Sequence, residues 1–483
     1  MGNIARHLVG LAMLPIYTRF LSPADYGVIA LLTFALALFE PVFGARLGMA
    51  LPKFYFEVQE DRAKSAVIWT ALGVTGSVSA MSMVALIILR GIGSEVLFGD
   101  RTYSLVFGIF AVNLLTRPLE AVGLMYLRIH ERSRQFLTMS MIKLTLQVAL
   151  NILLVVYLNE GVVGAVLSGV ISSAAIGTVL TAYVATHEAL AFDVQIMRKM
   201  VRFSWPLWIS GIGGLYVGSS GGVFLRVFAS LSDVGKLELA LKFATAVSLL
   251  IWSPFAQQWA PTSYRIYREV NGPQRFQVAF IGISAAMFVG GLGISIFAKP
   301  AILVMATKTF FSAAAAVPLL TLGFIFNELR SFFNFSFLVT DNTKISSLCQ
   351  YVMAVAITIA YSLLIPKYGL MGAAEAQCIA FLVGLIYSRV LSRQYYDPGI
   401  KLAPVLSIFA ISVVAYVFSR ILMSAQTLIF GVILSSVIYI AATAIILVVS
   451  VRAIASIDVM LFVGLPRPFA ALARVVSGDF RRM

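Results

Sequence analysis

The chain has 483 residues, 60% of them hydrophobic and only 12% charged, with a mean hydropathy of +0.94. A soluble protein of this size needs far more polar surface, so the composition excludes a water-soluble globular domain and indicates a polytopic membrane protein. The formal net charge of +15 has no soluble basic domain to carry it, and nucleic acid is excluded as a partner.

In chain order, apolar runs of about 20 residues or more predict about fourteen transmembrane helices. They cover 5–21, 27–51, 66–89, 103–127, 137–158, 162–185, 205–229, 236–261, 277–298, 313–339, 345–365, 370–391, 403–423 and 428–451. The runs are continuous rather than alternating, which excludes a β-barrel. The opening segment lacks a small-residue cleavage site and reads as a retained first helix. No connection is long enough for a sizeable extramembrane domain.

Charge then sets orientation. Of the 36 Lys and Arg residues, 22 fall at one side of the predicted spans and 8 at the other. The richer side is expected to be cytoplasmic and to hold both termini. Cys349 and Cys378 lie within apolar helices, where buried free thiols are expected.

The chain also repeats itself. LSPADYG (Leu21 to Gly27) and ASLSDVG (Ala229 to Gly235) both precede an apolar helix, with Asp25/Gly27 and Asp233/Gly235 related by an offset of 208. At that same offset the pattern G-x-x-G-A recurs at Gly161–Ala165 and Gly369–Ala373, and Glu120 falls in register with Glu328. An even number of helices per repeat gives two parallel halves. The expected architecture is all-α: six-helix bundles over 1–200 and 201–395, two further helices over 396–452, and a basic cytoplasmic tail over 453–483. Two parallel bundles enclosing a cavity form a transporter layout.

Six cations lie inside predicted spans: Arg46, Arg117, Lys143, Arg226, Lys242 and Arg330. An ionisable group at bilayer depth costs at least about 2.5–3.5 kcal/mol on insertion scales, so it faces a partner or a wet cavity. Spacing sorts them. Glu238/Lys242 stand at i,i+4 and Arg117/Glu120 at i,i+3, where local ion pairs form. Arg226 lies near the outer end of its helix, within reach of the interface. Glu328 and Arg330 point to different faces. Arg46, flanked by glycines in FGARLG, and then Arg330 are the leading substrate-facing candidates, while Lys143 is expected to serve interhelical packing. The acidic residues at depth, Glu40, Glu120, Glu328 and Glu375, are the candidates for ion coupling. No catalytic constellation, metal-ligand cluster or phosphate-cradling loop stands out, so neither an enzyme nor a cofactor is expected.

The stretch TRFLSPADYG (Thr18 to Gly27), the exit LPKFYFE (Leu51 to Glu57) and YGLMGAA (Tyr368 to Ala374) resemble the Wzx-type polysaccharide transporters. Their superfamily also holds the multidrug MATE exporters and MurJ-type lipid II flippases. The resemblance implies a flippase for an undecaprenyl-diphosphate-linked glycan in the bacterial inner membrane. Its surroundings would be membrane lipids, with polysaccharide polymerase and export machinery as partners and a proton or sodium gradient as driving force. It places diphosphate-binding cations in the N-terminal half, which Arg46 and Arg117 match, and makes Arg19 an exit contact. A lipid II flippase is the nearest alternative. A MATE-like exporter would want an anionic cavity for cationic drugs, whereas cations here outnumber acids among the candidates at depth. A polysaccharide polymerase or ligase would carry a large extracytoplasmic loop.

Overall fold

The computed structural model describes residues 9–43, 47–340, 342–425 and 428–457. Arg46 and the basic tail beyond residue 457 lie outside the described residues. Those described form helices and connecting turns, with no strand. Eleven stretches among them are long and apolar enough to cross a membrane. A bilayer core leaves a backbone no water to bond, and continuous helices satisfy it internally.

The difference from the expected fourteen has local causes. The expected helices 345–365 and 370–391 are joined into one 53-residue helix, Thr343–Tyr395, which breaks at Gly369 (φ 52°, ψ −125°). The chain reverses there: a Cβ on Gly372 would strike the Leu364 carbonyl, and one on Gly384 would strike Met353. The expected span at 205–229 is divided between Val194–Ser219 and Gly221–Phe228, and the first of these opens with Arg198, Lys199 and Arg202. The expected first helix is represented by Leu14–Phe20.

Contacts divide the chain into two compact units, Met1–Glu238 and Leu239–Met483. The first contains α1 (Leu14–Phe20), α2 (Pro23–Phe43), α3 (Leu51–Glu57), α4 (Asp61–Ile88), α5 (Arg90–Phe98), α6 (Ser104–Ala111), α7 (Asn113–Ile129), α8 (Ser133–Asn151), α9 (Gly161–His187), α10 (Val194–Ser219) and α11 (Gly221–Phe228). The start of α12 (Leu231–Ala244) completes it. α9 is the central helix, packed on α7, α8 and α2, and α4 covers the other side of α7. Small residues let α7 and α9 approach: Gly123 lies under Leu180, and Gly177 lies against the Thr116 carbonyl.

The second unit continues with α13 (Ser253–Ile266), α14 (Gly272–Met305), α15 (Ala313–Phe333), α16 (Phe335–Val339), α17 (Thr343–Tyr395), α18 (Ala403–Ala425) and α19 (Leu428–Ala455). α15 packs along α17, and α14 joins α15 to the pair α18–α19. An aromatic cluster holds one end: Trp259 stacks on Phe332 at 5.0 Å, and Phe276 lies 5.1 Å from Phe335. Beside it Arg389 donates to Asp397 (2.9 Å) and to the Ile400 carbonyl (3.1 Å), fastening the connection into α18.

The repeat seen in the sequence has a structural counterpart. At the start of α2 the Ser22 amide donates to Asp25 (3.0 Å), and the Asp25 amide donates to the Ser22 hydroxyl (3.2 Å). At the start of α12 the Ser230 hydroxyl donates to Asp233 (2.9 Å), and the Asp233 amide donates to the Ser230 hydroxyl (3.1 Å). The Ser–Asp spacing of three is that of a helix-opening capping box, so the shared residues have a local cause. Gly161 and Gly369, also 208 apart, share φ 52°, a conformation that side chains rarely adopt.

Candidate functional site

The intramembrane charges of the first unit are built on α7 and α8. Glu120 lies nine residues before the end of α7, and Lys143 ten residues into α8. At 1.5 Å per residue both stand about 14–15 Å in from the shared, cation-rich end, inside the apolar stretches Arg101–Ile129 and Ser133–Tyr157 that are long enough to cross a membrane. The Lys143 ammonium donates to both carboxylate oxygens, at 2.8 and 2.6 Å. The Glu120 side chain is 8% exposed and that of Lys143 21%. Arg117 sits one turn before Glu120 on α7 with its Nε buried.

Spacing along α7 had offered Glu120 only Arg117 as a partner. The tertiary structure adds Lys143 from the neighbouring helix, a partner that no single-helix periodicity can reveal. The packing role expected for Lys143 therefore takes the form of an interhelical ion pair.

Arg226 is occupied elsewhere. Its guanidinium donates to the Glu95 carbonyl at 2.9 Å and covers Gly99, the left-handed residue that ends α5. It satisfies the last turn of a short helix, where a cation is also favoured by the helix dipole. Arg19 is exposed at the end of α1, and Glu40 is half-buried in α2.

In the second unit Arg330 is 7% exposed, with its Nε donating to Asn327 at 3.2 Å on the same helix and its aliphatic stem against Gly384. Glu328 and Glu375 are half-buried on α15 and α17. Among the described residues no group of three or more His, Cys, Asp or Glu side chains is arranged to hold a metal ion.

A second polar cluster, at the cation-rich end of the first unit, escaped the sequence reading. Glu188, just after α9, accepts from the Tyr126 hydroxyl (2.9 Å) and the Ser65 hydroxyl (2.7 Å), and its backbone carbonyl accepts from Trp69 Nε1 (3.2 Å). His130 Nδ1 lies 3.0 Å from the Tyr126 carbonyl, which can only accept, so Nδ1 carries the proton. In the neutral ring Nε2 then accepts from the Tyr55 hydroxyl at 3.1 Å. Burial first, and then the charges of Glu188 and Asp61, push the Tyr55 phenol up. The network ties α3, α4, α7 and the exit of α9 together. Its members are 55, 65, 69, 126, 130 and 188, too scattered for any motif to have marked them.

Comparison with known proteins agrees with this architecture. The fold is similar to that of the lipid II flippase MurJ in an inward closed conformation (TM-score 0.72, 14% identity, 92% of this chain and 97% of that one). It is also similar to an inward-facing multidrug resistance MATE family transporter of the MOP superfamily (TM-score 0.64, 15% identity, 80% of this chain and 94% of that one). No curated protein sequence matches the chain. Residues 1–267 match the family described as polysaccharide biosynthesis protein, which is more than half the length. The chain is a multi-pass membrane protein with the MurJ- and MATE-like fold, and it belongs to the polysaccharide biosynthesis protein family.

Proposed function

We propose that this protein is a flippase that moves an undecaprenyl-diphosphate-linked oligosaccharide from the cytoplasmic to the periplasmic leaflet of the bacterial inner membrane. The product would feed cell-surface or exopolysaccharide synthesis, such as O-antigen. The observation that carries this reading is the presence of basic side chains inside apolar spans of a member of a polysaccharide family: Lys143 pairs with Glu120 between α7 and α8, and Arg117 stands one turn before Glu120 on α7. A diphosphate cannot cross hydrocarbon unaided, and guanidinium and ammonium donors offset its lost hydration while the polyprenyl tail stays in lipid.

In this reading Arg46 and Arg117 contact the diphosphate with Arg330, and Arg19 receives it at the exit. The bundles 1–200 and 201–395 rock in alternating access, both termini face the cytoplasm, and a proton or sodium gradient drives the cycle through Glu40, Glu120, Glu328 or Glu375.

The test is reconstitution of the purified protein in proteoliposomes. Protein-dependent translocation of an undecaprenyl-diphosphate-linked oligosaccharide is expected, at a rate well above that of lipid II. Translocation of lipid II alone would assign the protein to peptidoglycan precursors instead, and export of cationic drugs alone would overturn the flippase reading.

A further inference from the structure

Between α9 and α10 the chain leaves a short apolar stretch uncovered. Residues 189–193 have no regular secondary structure, and Leu190 is 83% exposed, Phe192 57% and Val194, at the start of α10, 47%. The stretch is nevertheless held at both ends. Glu188 accepts from the Ser65 hydroxyl on α4, the Asp193 amide donates to the Thr70 hydroxyl of the same helix (3.1 Å), and the Phe192 ring lies beside Gly73. The chain therefore runs along α4 beyond Lys64, the last charged residue of that helix, and at Thr70 it is about 9 Å past it.

Two constraints fix the surroundings of this stretch. Backbone outside a helix is not tolerated against lipid hydrocarbon, where its polar groups find no partner. A fixed cluster of exposed apolar side chains is equally out of place in water. The headgroup layer of a bilayer meets both conditions: it hydrates the backbone while the side chains reach the start of the acyl chains.

Charge narrows the choice of lipid. Arg202 stands four residues from Arg198 and three from Lys199, so the three share one face of α10, and all are exposed. The opposite face buries Met200 and Ser204, and exposed Trp205 borders the cations. Among the described residues no carboxylate pairs with these three. The nearest acids in sequence are occupied: Glu188 binds the Tyr126 and Ser65 hydroxyls, and Asp193 caps α10 through the Gln195 and Ile196 amides (2.6 and 3.1 Å).

We propose that Leu190 to Trp205 is an interfacial anchor that binds anionic phospholipid. Leu190, Phe192, Val194 and Trp205 enter the headgroup layer, and Arg198, Lys199 and Arg202 hold lipid phosphate. A zwitterionic headgroup carries its own cation and is held less well. The anchor does not depend on which substrate the protein moves.

The test uses the purified full-length protein in phosphatidylcholine bilayers, labelled at Leu190→Cys. Cys349 and Cys378 are buried, which leaves the introduced thiol as the accessible one. A nitroxide there is expected to show a higher ratio of oxygen to nickel-complex accessibility than one at Asp61→Cys, which is fully exposed at the start of α4. A bimane at the same position is then quenched with brominated phosphatidylglycerol or brominated phosphatidylcholine at equal low mole fraction. Phosphatidylglycerol is expected to associate about tenfold or more tightly, with the preference falling in high salt. Arg198→Gln/Lys199→Gln/Arg202→Gln is expected to remove the preference. Should that variant fail to insert, Arg202→Gln alone is expected to lower it about twofold or more, and Arg198→Lys/Arg202→Lys to retain it.

A water-like accessibility at Leu190 overturns the anchor and leaves the apolar stretch to a protein partner. Equal quenching by the two lipids, or an undiminished preference in both glutamine variants, overturns the anionic site. Relief of quenching by farnesyl diphosphate but not by unlabelled phosphatidylglycerol overturns the bulk-lipid assignment in favour of a lipid diphosphate.

Discussion

Gly27 and Gly235, equivalent positions of the internal repeat, lie against each other's helix: a Cβ on Gly27 would enter the Leu231 carbonyl, and one on Gly235 would enter that of Pro23. The contact is reciprocal, and it brings the capped starts of α2 and α12 together within the first unit. Both glycines are required by proximity rather than by backbone angle, since each sits inside a regular helix.

Gly27→Ala and Gly235→Ala are each expected to destabilise the protein by about 1–3 kcal/mol, the usual cost of overpacking. Thermal unfolding of the purified variants measures this. Gly91→Ala is the control: Gly91 is helical with open space around it, and a stabilisation of about 0.4–1 kcal/mol is expected there. Equal effects at the three positions would show that the close approach is not real.

The cations of the first unit are expected to separate by role. Arg46→Ala should abolish polysaccharide export in a complementation assay while the protein inserts at the wild-type level. Loss of one charge-assisted phosphate contact corresponds to about 1.5–3 kcal/mol, or roughly 10- to 100-fold in affinity. Full export by this variant would remove Arg46 from the binding set.

Arg226→Gln should behave differently. It loses the bond to the Glu95 carbonyl at the end of α5 and is expected to cost about 1 kcal/mol of stability. Transport per folded molecule should stay at the wild-type level. A transport defect without a stability change would place Arg226 in the substrate path.

Glu188→Ala should cost about 1–3 kcal/mol, because it strands the Tyr126 and Ser65 hydroxyls inside the cation-rich end of the unit. Glu188→Gln keeps an acceptor and should cost less. Chemical unfolding of the two variants checks the order, and a larger loss for Gln than for Ala would contradict the network.

The Arg389–Asp397 pair sets an acid limit in the second unit. Burial raises the Asp397 carboxyl, but the Arg389 hydrogen bond, the Gly399 amide and the charges of Arg389 and Arg393 outweigh it and hold the group below its ordinary value. A depressed carboxyl stabilises the fold fully above its unfolded value near 3.8, and the contribution is lost as pH falls through the lower folded-state value. Asp397→Asn should therefore be less stable than wild type at neutral pH, with the gap closing in acid. A gap that persists unchanged at low pH would remove the charge as its cause.

Much of the molecule could be read without coordinates, and for a physical reason. A bilayer admits only backbones that satisfy their own hydrogen bonds, so long apolar runs had to be helices. The repeat was legible because its residues act locally: Ser22 and Asp25, or Ser230 and Asp233, cap their own helix, and Gly161 and Gly369 supply a φ that other residues resist. What lay beyond the sequence was every choice made between helices. Glu120 binds Lys143 from 23 positions away, Arg226 reaches a carbonyl 131 positions away, and Gly27 meets Gly235. Helical spacing describes one helix at a time, whereas partners at bilayer depth are selected by the register in which helices pack, and that register is a property of the tertiary structure alone.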